Sequence, residues 1–448
     1  MVLFILFTFI LGYVAITIEH SLKIDKLIPA LMMMTLCWTG IALGIDDVAN
    51  WFNPETSVLE SLAGVGHEAR MHLLEGTLLH HFGKTAEILI FLMGAMAIVE
   101  MIDFFEGFGA IKKMIRTRSK TKLLWIISFL AFFLSSIIDN LTATIVLITI
   151  LRKLMDKPED RMWYAGFIII AANAGGAWTP IGDVTTTMLW MAGKVTSVKL
   201  IEFLVIPSLI TMLVPLLASR FIPAFKGNLS DSIEDENKQE NPYARKMLFF
   251  GLAMVVFVPI FKTFTHLPPY LGMMFSLSIV ALVSEILSNR KISFTNPDSE
   301  HNPHHGKGPT MSALAKIEIP SVLFFLGILM TVAAMESIGM IFNFGQTVSA
   351  TIPQSVFVTI LGISSAVIDN VPLVAASIGM FSDAADAKIW HDLAYAAGTG
   401  GSILIIGSAA GVVAMGMEKI TFFWYLKNIT LLALIGYLAG IGFLFMIS

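Results

Sequence analysis

Two short stretches, SSIIDNLTAT at 135–144 and SSAVIDNVPL at 364–373, each set an aspartate beside an asparagine in apolar surroundings. A carboxylate there is costly unless it is paired or faces a wet cavity, so an acid used twice in nearly the same words points to chemistry. Asp139, Asn140 and Thr142 offer one full negative charge and neutral oxygens. Hard oxygens of this kind suit a small hard cation such as Na⁺, by the logic that governs Ca²⁺ and Mg²⁺ sites. A third stretch, NAGGAWTPIGDVTTT at 173–187, brings Asn173, Thr179, Asp183, Thr185 and Thr186. In it Gly175 and Gly176 permit close backbone approach and Pro180 removes a backbone donor. Asp183 is the second acid expected near the midplane of a membrane. Either aspartate can also cap a helix, a role compatible with cation binding.

The elements that position these residues follow from composition. Of 448 residues, 56% are hydrophobic and 14% charged, against about 45–50% and about 25% in soluble domains. The apolar residues form runs of roughly 17–25, the length that crosses a bilayer as helix. The expected fold class is an all-α polytopic membrane protein. Helical spans are predicted at 2–18, 27–44, 84–106, 200–221, 246–264, 270–289, 319–342 and 420–447. The first lacks a basic leader and a small-residue cleavage site, and reads as a retained span. Cys37 is the single cysteine, which excludes a disulfide within the chain.

Lysine and arginine in the loops set orientation. Loop 109–122 carries Lys112, Lys113, Arg116, Arg118, Lys120 and Lys122 and reads as cytoplasmic. Loop 45–83 is acidic and reads as external. Segment 121–154 ends in Arg152 and Lys153, with Lys157 and Arg161 beyond. A single crossing would place that basic end outside, so a re-entrant hairpin turning at Asp139-Asn140 is expected. Segment 352–385, flanked by Asp383, Asp386 and Asp392, is expected to dip from the other side. Segments 162–197 and 389–418 read as broken helices.

An internal repeat organises these parts. Gly94 matches Gly327, Asp139 matches Asp369, and Gly176 in ANAGGAWTPIGD matches Gly401 in AGTGGSILIIGS. Four crossings separate the first matched pair, so the halves are expected to run in opposite directions. The sequence thus predicts an inverted-topology repeat of about ten transmembrane helices plus two re-entrant hairpins and two broken helices. The expected divisions are 1–222, a polar cytoplasmic linker at 223–244, and 245–448. In the second break Ser408 stands for Asp183, Gly398 for Asn173 and Ala410 for Thr185, leaving Thr399 and Ser402 as its other polar side chains. The cation site is therefore expected mainly on the first half, with Asp139 foremost and Asp369 and Asn370 contributing.

Other acids rank lower. Asp103 matches Glu336, and the two are candidates for a proton relay. Glu100 and Glu106 read as solvated or paired at the cytoplasmic mouth. The histidines at 301–305 read as a solvated loop. No GxxxxGK[ST] phosphate loop is present, which disfavours ATP-driven transport. No basic domain suggests nucleic acid, and no cofactor motif is visible.

The run LLHHFGKTAEILIFLMGAMAIVEMID, the two IDN tips and ANAGGAWTPIGDVTTTMLW resemble NhaD-type sodium/proton antiporters of the ion transporter superfamily. The resemblance covers nearly the whole chain, including Glu19-His20. Dicarboxylate carriers of that superfamily usually read Ser-Asn-Thr at the tips, whereas this chain has Asp139 and Asp369. The resemblance implies a homodimer in the plasma (inner) membrane of a prokaryote or an organellar equivalent. It also implies a fixed scaffold part and a moving part that holds hairpins and broken helices.

The expected activity is secondary exchange of Na⁺ (or Li⁺) for H⁺ by alternating access, without enzymatic turnover or a cofactor, cation and protons competing for Asp139 and Asp183. The alternative is a Na⁺-coupled dicarboxylate or other anion carrier. Against it, two tip aspartates repel an anion unless bound cations offset them. An intramembrane aspartyl protease needs two acids sharing a proton. It lacks its Gly-x-Gly-Asp pattern here and leaves the repeat unexplained.

Overall fold

In hydrocarbon no water satisfies backbone N–H and C=O groups, so a spanning segment must pair them internally. This chain does so with helices. The computed structural model describes residues 1–447 apart from 18–22, 54–57, 116, 230–240 and 296–307, and leaves the side chains of 112–114 and 289–295 undescribed. Glu19, His20, Arg116, the 301–305 histidines and half of the 223–244 linker lie outside the described residues.

The first half runs α1 (Val2–Thr17), α2 (Leu27–Leu43), strands β1 (Asn50–Asn53) and β2 (Val58–Ser61), then α3 (His67–Phe104) and α4 (Gly109–Met114). It continues with α5 (Lys120–Ile138), α6 (Asn140–Leu154), α7 (Pro158–Gly176), α8 (Val184–Met191) and α9 (Ser197–Ala218). The second half runs α10 (Ala244–Thr265), α11 (Pro269–Thr295), α12 (Pro309–Leu314), α13 (Ile319–Ser337) and α14 (Met340–Thr351). It ends with α15 (Gln354–Ser364), α16 (Asn370–Met380), α17 (Lys388–Gly400), α18 (Ala409–Glu418), α19 (Phe422–Asn428) and α20 (Thr430–Ile447). Among the described residues seven helices are long and apolar enough to cross a membrane: α3, α5, α9, α10, α11, α13 and α20. Helices α1 and α2 are apolar but shorter.

Both hairpins and both broken helices are present, with some shifts from the expected spans. Helix α3 starts at His67, not at 84, and its 38 residues make about 57 Å of helix. Its early start is anchored by Arg70, buried, which donates to the carbonyls of Val65, Ile45, Val48 and Leu62 at 2.7–2.9 Å. A small antiparallel β1–β2 hairpin adds to the helical fold, its Trp51 Nε1 donating to Thr77 Oγ1 at 3.1 Å. The expected span 319–342 ends early, because Gly339 takes a left-handed φ of 74° and redirects the chain into α14. The expected span 420–447 likewise divides into α19 and α20.

The halves interlock. Helix α2 packs along α13, and α11 packs along α3. Within each half the first hairpin arm lies on the first part of the broken helix, α5 on α7 and α15 on α17. The outgoing arms cross over: α6 packs on α18, and α16 on α8. That exchange brings both tips and both breaks to one place.

A buried charge cluster fixes one end of the crossover. Glu418, at the end of α18, accepts from Arg152 Nε of α6 at 2.7 Å and from Arg161 Nε of α7 at 2.8 Å. Glu418→Ala is expected to lower stability by about 2 kcal/mol, less than for a fully buried pair because Arg152 is partly exposed. A drop in the midpoint of thermal unfolding in detergent checks this.

Candidate functional site

The first tip is a single residue wide. Between α5 and α6 only Asp139 is non-helical, at φ 87° and ψ 157°, a strained backbone conformation that glycine adopts far more readily than aspartate. Its carboxylate caps α6, taking the Thr142 N–H on Oδ1 and the Thr142 hydroxyl on Oδ2, both at 2.8 Å. Hydroxyls then fix the tip to the first break. Ser135 donates to the Ala172 carbonyl and Thr179 to the Ser136 carbonyl, each at 2.6 Å. Gly175 lies so close to the backbone of Phe132 that a Cβ would collide with its carbonyl.

The second half repeats this joinery. Ser365 donates to the Ala397 carbonyl at 2.9 Å, as Ser135 does to Ala172. Gly400 lies against the backbone of Gly362, as Gly175 does against Phe132. The shared serine of the two tip words was the sequence signal for this lock, but its carbonyl partners are visible only in the fold.

Asp183 lies where the four elements converge. It precedes α8, is 4% exposed, and its carboxylate collects donors from three directions. Asn140 Nδ2 of the first tip reaches Oδ1 at 3.1 Å, and Asn370 Nδ2 of the second tip reaches Oδ2 at 3.1 Å. The Thr185 hydroxyl donates to Oδ2 as well. Asn140 also approaches Asn173 Oδ1 at 3.3 Å, and Asn173 Nδ2 donates to Ser408 Oγ of the second break at 3.1 Å. The residues brought together are thus Asn140, Asn173, Asp183, Thr185 and Asn370, with Ser408 joining from the position matched to Asp183. Among the described residues no lysine, arginine or histidine forms an ion pair with Asp183 or Asp139.

Other candidates are engaged elsewhere. The Thr186 hydroxyl donates to the Asp183 carbonyl at 2.9 Å. Thr399 bonds the Tyr395 carbonyl at 2.6 Å, and Ser402 bonds the Thr399 carbonyl at 2.8 Å. These hydroxyls, like that of Thr179, are thus taken up by backbone carbonyls. Asp369 caps α16 through the Val371 N–H at 3.2 Å, and its Oδ2 faces Lys26 at 3.8 Å instead of joining Asp183.

The two relay candidates are far apart. Glu336 is half-buried beside Gly379 and lines a cavity of about 280 Å³ with Lys84, Lys194, Met188 and Ala375. Asp103 sits in the open near Lys316, at 3.8 Å, about 28 Å along α3 from Lys84 by helical rise. They do not form one relay. The cavity does reach α8 and α16, the half-helices that begin beside Asp183 and at Asn370.

Comparison with known proteins agrees with this architecture. A family model described as "Citrate transporter" (CitMHS) matches residues 13–396. Sodium/proton antiporter 1 of Arabidopsis thaliana is 38% identical over 443 residues, covering 96% of this chain and 70% of that protein. The Na(+)/H(+) antiporter NhaD of Alkalimonas amylolytica is 31% identical over 461 residues, covering 97% of this chain and 88% of that one. The crystal structure of the Alcanivorax borkumensis YdaH transporter, described as having an unusual topology, superposes with a TM-score of 0.58 at 13% identity, covering 93% of this chain and 97% of that one. That last likeness concerns the fold alone. With its interlocked helical halves, paired hairpins and matched breaks, the chain belongs to the citrate transporter (CitMHS) family, in the company of the NhaD-type sodium/proton antiporters.

Proposed function

We propose that this protein exchanges Na⁺ (or Li⁺) for H⁺ across a membrane by alternating access, with Asp183 as the shared carboxylate. The observation that carries this is a buried aspartate without a basic partner among the described residues, held by one asparagine from each half, with Asn173 behind the first of them. An amide is suited to both loaded forms. As placed, Asn140 and Asn370 turn NH₂ groups to the carboxylate; a half-turn of either presents oxygen to a bound cation. A cation requires the carboxylate ionised and a proton neutralises it, so the two loads exclude each other at the same oxygens. Asp139 adds charge at the first tip, and Thr142, Asn173 and Thr185 add oxygens.

In this reading 1–222 and 245–448 are oppositely oriented repeats joined by the cytoplasmic linker 223–244, a division supported by the recurring serine locks and crossed arms. The hairpins and broken helices form the moving part, and α2, α3, α11 and α13 belong to the scaffold. The protein works as a homodimer in a prokaryotic plasma membrane or its organellar equivalent, as the sequence resemblance implies.

Vesicles containing the protein should dissipate an imposed ΔpH on addition of Na⁺. Because cation binding at a carboxylate releases a proton, acid should weaken it: the apparent Na⁺ KM should rise by up to about tenfold per pH unit on the acid side for each proton displaced. An apparent KM that does not change between pH 6 and 9 would sink the competition model. The description of the matching family model gives a second reading, a carboxylate carrier. Na⁺-driven uptake of labelled citrate or succinate by the same vesicles would establish it.

A further inference from the structure

The two tips are alike in sequence but satisfied differently. Thr142 gives Asp139 two donors, one for each carboxylate oxygen. The matched position in the second tip is Pro372, which has neither an N–H nor a hydroxyl. Asp369 is left with the Val371 N–H on Oδ1, and its Oδ2 turns to the Lys26 ammonium. Lys26 comes from the other half of the chain, at the N-terminal end of α2. A cation there opposes the helix dipole, so helix preference alone does not explain a lysine at this position. The ring of Phe324 on α13 holds the ammonium from a second direction, 4.5 Å from its centroid. Phe324 packs with Ala30 and Met33 of α2 and with Tyr13 of α1, so the ammonium stands on a packed surface.

We propose that Lys26 is a tethered counter-cation for the second hairpin tip, taking at Asp369 the place that a transported cation takes beside the first tip. The inference rests on the Na⁺/H⁺ reading above. It explains how a duplicated fold with two acidic tips builds one asymmetric cation site: proline at 372 strips the local donors from Asp369, and a resident ammonium answers its charge. The tip then docks on α2 and α13 through this pair, while Asn370 of the same tip reaches Asp183. Lys26 is a positioning residue, since it acts through Asp369 and touches no transported ion.

Na⁺-driven ΔpH dissipation should be compared in vesicles carrying the full chain, with protein amount in the membrane measured for each variant. Lys26→Gln leaves an uncompensated carboxylate that retains Na⁺. Apparent Na⁺ KM and maximal rate should both fall, by about fivefold, the scale of a partly exposed pair. Asp369→Asn leaves an unpaired ammonium and should raise the KM by a similar factor. Lys26→Arg should stay near the wild type, and the doubly neutral Lys26→Gln/Asp369→Asn should return toward the wild-type KM from both sides. An unchanged KM in Lys26→Gln, or a double variant as impaired as the worse single one, overturns the assignment.

A second measurement covers poor folding of those variants. Lys26→Cys/Asp369→Cys in a Cys37→Ser background should stop exchanging when joined by a reducible cross-linker and recover on reduction. Full exchange by the cross-linked protein also overturns the assignment. Failure of the wild type to exchange Na⁺ would instead sink the Na⁺/H⁺ reading, and leaves the cross-linking yield as an independent measure of the contact.

Discussion

Asp183→Asn should reduce Na⁺/H⁺ exchange by at least about 100-fold while the protein still inserts and folds, because a neutral amide cannot replace the charge that a desolvated cation requires. The substitution is nearly isosteric, and the surrounding bonds can be kept. Asn140 and Asn370 both donate to the carboxylate now; a new amide offers one oxygen and one NH₂, so one of the two asparagines must turn over. Stability should therefore change by about 1 kcal/mol, the net worth of a hydrogen bond. Two measurements separate the effects, ΔpH dissipation on adding Na⁺ and thermal unfolding of the purified protein. Exchange at wild-type rates would remove Asp183 from the centre of the mechanism. Loss of folding along with exchange would make its role structural.

Gly175→Ala and Gly400→Ala should also be severe, for a different reason. A Cβ at Gly175 meets the carbonyl of Phe132, and one at Gly400 meets the carbonyl of Gly362. In both cases the obstacle is backbone, which cannot rotate out of the way as a side chain can. Overpacking of this kind costs about 1–3 kcal/mol and is relieved only by moving the hairpin arm off the broken helix. That movement shifts Asn140 or Asn370 relative to Asp183, so exchange should fall by about tenfold or more in either variant, beyond any loss of stability. Gly83→Ala is the control: nothing lies within 4 Å of its Cβ position, and alanine in a helix interior should raise stability by up to about 1 kcal/mol. Comparable losses at 175 and 400 would mean that the two halves contribute equally to positioning. A severe loss at only one would contradict the duplicated joinery.

What the sequence by itself determined was whatever depends on local pattern. Apolar runs specified the helices, because a bilayer leaves the backbone no other way to satisfy itself. The repeated Asp-Asn words and the Gly-Gly breaks located both hairpin tips and both broken helices, and the mismatch of Asp183 with Ser408 is a difference between the halves that the sequence states outright. Only the tertiary structure decided which of these polar groups meet. Asp139, foremost in the sequence, is occupied by its own Thr142, while Asp183 receives Asn140 and Asn370 from opposite halves. Thr179, Thr186, Thr399 and Ser402 look like ligands in one dimension and are taken up by backbone carbonyls. Asp369 turned out to face Lys26, a lysine that nothing in the sequence pattern singles out. One physical reason covers the pairings made between the halves, Asn370 with Asp183 and Lys26 with Asp369. A hydroxyl, amide or carboxylate carries no mark of its partner, and partners hundreds of residues away are chosen by how the crossed arms of the two repeats pack.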